Sequence, residues 1–197
     1  PGLVSFEDLW FQVFSEPGAG SDLASLSTAA VRDGDEWVIN GQKVWTSLAH
    51  HARWGILIAR TGSPPGTEKH GEGGASKQAG ITYFVCPMDA DGIEIRPIVE
   101  MTGAHTFNEV FLNDVRLPDD SRVGDVGQGW SLAKITLANE RVSLSAGGVL
   151  WGQGPQTEAL YDEVRAAGGV AEPVMRQRLA ETWIEGEVLR LSRMRTI

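Results

Sequence analysis

Only one of the 197 residues is a cysteine, Cys86. A disulfide framework and a Cys-rich zinc site are both excluded by that count. There is no apolar run near the ~18–20 residues that a membrane-spanning helix needs. The longest such stretch, Trp54 to Ala59, is strand-sized. The opening lacks the basic, apolar and small-residue order of a secretory signal. It also lacks Met: the chain begins Pro1-Gly2-Leu3, which leads one to expect a processed, cut or engineered start. Lys and Arg do not cluster, and 17 of them face 26 Asp and Glu for a net charge of −9. That balance argues against nucleic acid, whose phosphates require a positive footprint. The four histidines form no site by spacing: His50 and His51 are adjacent, His70 and His105 isolated, and no metal is expected. What is present, 42% hydrophobic and 22% charged residues, is globular composition. Length allows one domain or two small ones. The charge suits a cytoplasmic protein kept dispersed by self-repulsion.

The pattern changes along the chain. Residues 1 to about 127 hold 16 of the 24 glycines and read as β-structure. Thr28–Val31 and Glu36–Ile39 flank Asp33-Gly34, a type I′ hairpin signal, and Trp37–Asn40 and Gln42–Trp45 flank Asn40-Gly41, a second one. Further strands are expected at Trp54–Arg60, Ile81–Cys86, Ile93–Val99 and Asn108–Leu112. Short strands at this spacing predict an antiparallel barrel or sandwich. Thr61–Gly80, with Pro64-Pro65 and six glycines, reads as a mobile surface loop. After Gly127 the period becomes helical: Trp130 to about Leu150, then Glu158–Ala167, stopped by Gly168-Gly169. Pro173 suits the first turn of a last helix whose apolar stripe includes Met175, Leu179 and Trp183. That stripe needs partner helices that the sequence hardly supplies. The fold class expected is therefore α+β, a β-domain followed by an incomplete helical bundle, as in a fragment of a larger chain.

Three segments stand out chemically. Phe14-Ser-Glu-Pro-Gly-Ala-Gly-Ser-Asp22 is rich in small residues that let a backbone approach a ligand, with hydroxyls at Ser15 and Ser21. It is neither a dinucleotide fingerprint nor a phosphate-cradling loop, and by spacing alone an ordinary tight loop explains it better. Asn40-Gly-Gln-Lys-Val-Trp-Thr-Ser47 sets a Trp beside two hydroxyl residues, which can stack on a planar ring or simply half-bury in a strand. Ala138-Asn-Glu-Arg141 lies mid-helix, where adjacent Glu140 and Arg141 point about 100° apart; it is a solvated patch or a carboxylate aimed into a cleft. A Ser-His-Asp triad has no Gly-x-Ser-x-Gly elbow to support it.

In order and content these segments resemble the acyl-CoA dehydrogenase family of flavoproteins. The first segment is similar to the family's E-P-x-A-G-S-D stretch, and Asn40-Gly-x-Lys-x-Trp-Thr-Ser47 to the strand after it. Phe111-x-x-Asp114-Val-x-Leu-Pro118 resembles the end of the middle domain. Gly127-x-Gly129 with Asn139-Glu140-Arg141 resembles the first helix of the C-terminal domain. The resemblance implies a middle β-barrel domain over 1–125 and the first part of a four-helix-bundle domain over 126–197.

It also implies a reaction, the α,β-dehydrogenation of an acyl-CoA thioester in lipid metabolism. A carboxylate takes the α-proton and the β-hydride passes to FAD. By this resemblance Phe14, Ser15, Gly20, Ser21, Trp45, Thr46 and Ser47 hold the flavin. The family more often has Thr where Ser15 stands, and a hydroxyl survives the change. Ser21, Asn139 and Arg141 meet the acyl-CoA. The base is Glu140 or a carboxylate beyond residue 197. An electron-transfer flavoprotein or similar acceptor is implied, and a homo- or hetero-oligomer, such as a homotetramer. The alternatives are an acyl-CoA oxidase or flavin monooxygenase on the same scaffold, a non-catalytic subunit of a hetero-oligomer, or a plain β-barrel binding module.

Overall fold

The structure, a computed structural model, describes residues 2–5, 7–62, 77–145 and 157–195. The chain forms two compact units, Pro1–Lys134 and Ile135–Ile197. In the first, a single turn α1 (Gly2–Ser5) precedes β1 (Trp10–Val13), β2 (Ala29–Asp33), β3 (Glu36–Ser47) and β4 (Trp54–Arg60). Then come β5 (Ile81–Pro87), β6 (Ile93–Pro97), β7 (Phe107–Pro118) and β8 (Arg122–Val123). Helix α2 (Gly129–Ser145) crosses the boundary between the units. The second unit continues with α3 (Thr157–Ala166) and α4 (Pro173–Met194).

The sheet corrects the expected architecture. Its eight strands run in the order β6-β7-β3-β2-β4-β5-β8, with β1 beside β4, and the path does not close into a barrel. It is mixed rather than antiparallel, because β1 and β2 both pair with β4 in parallel. Hairpin signals report only neighbouring strands, so the pairing of Trp10 with Trp54 left no trace in local sequence. Their indoles stack there with centroids 5.5 Å apart.

The Asp33-Gly34 turn forms, with Asp33 opposite Glu36. Its left-handed residue is Gly34 (φ 64°), so the turn follows the II′ pattern rather than I′. The second expected hairpin does not form. Asn40-Gly41 lies inside the continuous strand β3, and neither residue has a positive φ, which a I′ turn requires. Gly41 is needed for another reason: an added Cβ would lie 2.4 Å from Thr28 Oγ1, just before β2.

What interrupts β3 is a pair of opposed β-bulges against β7. Between Ile39↔Val115 and Gly41↔Leu112 the extra residue is on β7, and Asp114 there has φ 51°. Asn40 spans that bulge, its amide donating to Asp114 Oδ1 and its Oδ1 accepting from Asp114 N, each at 2.9 Å. Between Lys43↔Val110 and Thr46↔Asn108 the extra residue is on β3, and Trp45 there has φ 61°. Each bulge shifts the inward and outward alternation by one place. The core therefore takes Trp37 and Ile39 from β3, Val110 and Leu112 then Val115 and Leu117 from β7, with Leu57, Phe84 and Cys86.

The helical expectations hold where they can be followed: α3 lies within a residue of its expected bounds, and α4 begins at the expected Pro173. The end of the first helix beyond Ser145 and most of the Thr61–Gly80 loop lie outside the described residues. Among the described residues no helix is long and apolar enough to cross a membrane. On α4, Val174, Met175, Trp183, Ile184, Val188, Leu189, Leu191 and Met194 are exposed, and they lie on all sides of the helix rather than on one stripe.

The start of α2 is seated on β5. Gly127 (φ 84°) donates its N–H to Thr82 Oγ1 at 2.9 Å. Gly129 then lies so close that a Cβ would stand 2.6 Å from the Thr82 carbonyl carbon. Gly129→Ala is therefore expected to destabilise the first unit by about 1–3 kcal/mol through overpacking. A shifted urea midpoint with unchanged slope would show it; an unchanged midpoint would mean that β5 yields.

Candidate functional site

The loop after β1 is built directly onto β3. Glu16 and Ala19 exchange two backbone hydrogen bonds at 3.1 Å, closing a tight turn over Pro17-Gly18. Val44 N donates to Ser15 O at 2.9 Å, and Lys43 Nζ donates to Phe14 O at 3.0 Å. Phe14 is buried with its ring edge-on to Tyr83. Gly20 and Ser21 are exposed beyond the turn, followed by Asp22, which pairs with Lys77 at 2.5 Å.

Beneath this loop lies a buried ion pair that sequence reasoning missed. Lys43 Nζ donates to Glu16 Oε1 at 2.9 Å, and the lysine side chain is 0% exposed. Glu16 also accepts from Thr28 N at 2.9 Å and from Ser27 N and Oγ at 2.7 and 2.8 Å. Burial works to raise the Glu16 carboxyl, but the Lys43 charge and the Thr28 and Ser27 hydrogen bonds outweigh it and hold it at about 2. Burial pulls the Lys43 ammonium down to about 8, against the opposing Glu16 charge. Arg60, also buried, donates Nε to Leu26 O at 3.0 Å and an Nη to Ala24 O at 2.7 Å, closing the far side of the loop. Both partners of the pair stand inside the two singled-out segments. Their charge types at apolar strand spacing were the one available signal.

Trp45 stands just past this pair, at the bulge. Its ring is 59% exposed and rests edge-on against Phe107, with centroids 5.9 Å apart. A bulky residue with positive φ is strained, and such strain persists only where the surroundings over-determine it. Leu48, three residues on, is also left-handed at φ 50°. Between them Thr46 is buried, and its Oγ1 finds no hydrogen-bond partner among the described residues, while Ser47 is half-buried. An exposed indole presented beside a hydroxyl, next to a glycine-lined turn where Gly18 and Gly20 face open space, fits a large planar cofactor such as FAD.

The structure thus brings Phe14, Ser15, Trp45, Thr46 and Ser47 onto joined backbone, with Gly20 and Ser21 on the same loop. Asn139, Glu140 and Arg141 lie on α2 within the second unit. Among the described residues no three His, Cys, Asp or Glu side chains gather as metal ligands. Cys86 is buried, and burial with the nearby Asp89 charge pushes its thiol up to about 12, which leaves it unreactive.

Comparison with known proteins decides the family. The profile of the acyl-CoA dehydrogenase middle domain matches residues 12–115. The chain belongs to the acyl-CoA dehydrogenase family. A relative from Mycobacterium tuberculosis (strain ATCC 25618 / H37Rv), acyl-CoA dehydrogenase FadE34, is 55% identical over 150 residues, covering 76% of this chain and 20% of the relative. Among solved structures, the Tcur3481-Tcur3483 steroid ACAD G363A variant is 35% identical with TM-score 0.78, covering all of this chain and 48% of that one. The ChsE4-ChsE5 complex from Mycobacterium tuberculosis is 34% identical with TM-score 0.74, covering 99% and 49%. The chain therefore spans between a fifth and a half of the length of these acyl-CoA dehydrogenases.

Within that family frame the Glu16–Lys43 pair has a testable weight. Removing one partner of a buried pair costs about 3–5 kcal/mol, because the other charge is left uncompensated. Glu16→Gln is expected to lower stability at neutral pH by about that much. A carboxyl held at about 2 stabilises the fold above its ordinary value of 4.5, and the contribution fades as pH falls between the two. Urea unfolding of the wild type from pH 6 to pH 2 should show that decline, and the Glu16→Gln variant should decline less, keeping only the share of other lowered carboxyls such as Asp119. Equal slopes in both proteins would remove the pair from the account.

Proposed function

We propose that the full-length protein is an FAD-dependent acyl-CoA dehydrogenase. Residues 1–125 are its middle domain and 126–197 the first part of its C-terminal helical domain. The observation that carries this reading is Trp45, an exposed indole held in left-handed backbone beside Ser47. Bound FAD supplies the hydride acceptor for the substrate β-carbon.

The chain's own residues do the rest. Trp45 would flank the ring of the bound cofactor and exclude water from it. Thr46 points inward, so Ser47 is the hydroxyl left to meet the ring's polar edge. Phe14 and Ser15 support the same side, and Gly20 and Ser21 turn toward cofactor and acyl-CoA. Asn139 and Arg141 line the channel for the acyl-CoA.

Glu140 is the candidate base for the α-proton, with a carboxylate beyond residue 197 as the alternative. A thioester α-proton is too weakly acidic for a free carboxylate. Hydrogen bonds to the developing enolate oxygen, in a site that excludes water, supply the missing driving force.

A steroid-bearing acyl-CoA is the acyl class to test first, since the Tcur3481-Tcur3483 protein is a steroid ACAD. Assembly with a second, different subunit is the matching arrangement, as in the ChsE4-ChsE5 complex. The place of action would be cytoplasmic lipid metabolism, with an electron-transfer flavoprotein as acceptor.

The test is a visible spectrum of the full-length protein with FAD, followed by anaerobic titration with acyl-CoA. Bound FAD that bleaches is the expected result, and rapid oxygen consumption under air would convert the reading to an oxidase. Absence of bound FAD, with or without a partner subunit, would overturn it. Trp45→Ala is expected to release FAD on dialysis, and undiminished flavin content would end the stacking role. Glu140→Gln is expected to cut turnover by well over tenfold only if Glu140 is the base. A loss below tenfold, about 1.4 kcal/mol of barrier, places the base beyond residue 197.

A further inference from the structure

Two left-handed, non-glycine residues three positions apart need something to hold them. The ladder between β3 and β7 is broken by the bulge at Trp45 and resumes with Thr46↔Asn108 and Ser47↔Phe107, so strand pairing holds only part of this segment. Three further hydrogen bonds hold the rest. Val44 N donates to Ser15 O at 2.9 Å on one flank, and Leu48 N donates to Thr106 O at 2.7 Å on the other. Between them Asn108 Nδ2 donates to Thr46 O at 3.0 Å. Of the three donors Asn108 alone is a side chain, and it is 0% exposed.

The orientation of that amide follows from its partners. A carbonyl only accepts, so Nδ2 faces Thr46 O and Oδ1 faces the other way. Oδ1 lies 2.9 Å from His50 Nδ1 and also only accepts, so Nδ1 carries the proton. His50 sits on the short 3-10 turn Ala49–His51 that follows Leu48, and its ring reaches back to β7. One buried amide thus ties β7 to Thr46 within the Trp45–Leu48 segment and to His50 just after it.

We propose that Asn108, braced by His50, is a positioning residue that holds Trp45 and Ser47 in their ligand-facing geometry. This rests on the reading of Trp45 as a cofactor platform. Neither residue lies in any segment that the sequence singled out for chemistry. Neither touches the ligand; both act through the Thr46 peptide. Loss of the Asn108 donor leaves a buried carbonyl unpaired next to a strained residue, and the strain then relaxes by turning Trp45 away.

The test uses the full-length protein with Asn108→Ala, His50→Ala and His50→Asn. Asparagine at 50 keeps a donor near the position of Nδ1. In Asn108→Ala the amides of 45–48 are expected to exchange about tenfold faster, the size of one lost buried hydrogen bond, while the rest of β3 and β7 keeps its protection. The Trp45 indole NMR signal, identified by its loss in Trp45→Phe, should shift. FAD affinity should fall by about tenfold at nearly unchanged melting temperature. His50→Ala should show the same pattern in weaker form, and His50→Asn should restore it.

Unchanged exchange at 45–48 and an unmoved indole signal would overturn the proposal. So would a uniform rise in exchange over both strands, which marks a merely structural role. If Asn108→Ala does not fold, the exposed His50 variants decide by the same readouts. If the wild type takes up no FAD, the cofactor reading fails, and the exchange and indole signals still decide whether Asn108 positions the segment.

Discussion

The Lys43 side chain is fully buried, and among the described residues Glu16 is its ionised partner at hydrogen-bond distance. Charges this deep are tolerated only when paired and hydrogen-bonded. The demand for that pairing dictates where the loop from Phe14 to Thr28 goes. Glu16 must reach Lys43, its carboxylate must collect the Ser27 and Thr28 donors, and the Phe14 carbonyl must take a second lysine proton. A hydrophobic pair of similar volume would fill the space with comparable stability. It would not specify which carbonyls and amides meet. The pair therefore reads as a device for register, joining the glycine-rich turn to the strand that carries Trp45.

The two opposed bulges serve the same end by geometry. A regular strand turns successive side chains to opposite faces, and one slipped residue inverts everything after it. Here the extra residue at Asp114 on β7 is answered by one at Trp45 on β3, so the sheet continues while a short stretch is out of phase. Inside that stretch Lys43 and Val44 are both buried in succession, and Trp45 is turned out. An apolar core strand has been made to present a large aromatic ring to solvent without losing its neighbours.

Much of this was legible in sequence, for reasons that separate the successes from the misses. Asp33-Gly34 was legible because glycine supplies a positive φ that the turn demands. Asn40-Gly41 was misread because the same dipeptide serves strand β3: Gly41 makes room for Thr28, and Asn40 bonds across a bulge. The change of period at Gly127 was legible, since helices and strands differ in spacing. The parallel pairing of β1 with β4 was not, because partners so far apart in sequence leave no local mark. At the site, Trp45 and Ser47 were legible as residue types beside each other. Glu16 and Lys43 were not, because alternation treats a lysine as solvated and only the folded loop supplies its partner. Asn108 was legible as a strand residue and His50 as no part of a site by spacing; their contact joins residues 58 apart in sequence and leaves no local mark.

A ligand-facing aromatic can be held by packing or by strain, and the two differ in what they permit. A packed ring is rigid because its neighbours fill the space around it. An exposed ring such as Trp45 lacks those neighbours on its outer face, so rigidity must come from the backbone. The segment meets this with bonds from three directions: Ser15 on the loop, Thr106 before β7, and Asn108 within it. The loop bond depends in turn on Glu16 and Lys43, which fix Ser15 against Val44. Strain at Trp45 is thus sustained by a buried charge pair on one side and a buried amide on the other. That arrangement leaves the outer face of the indole open, with its angle already set before any ligand arrives.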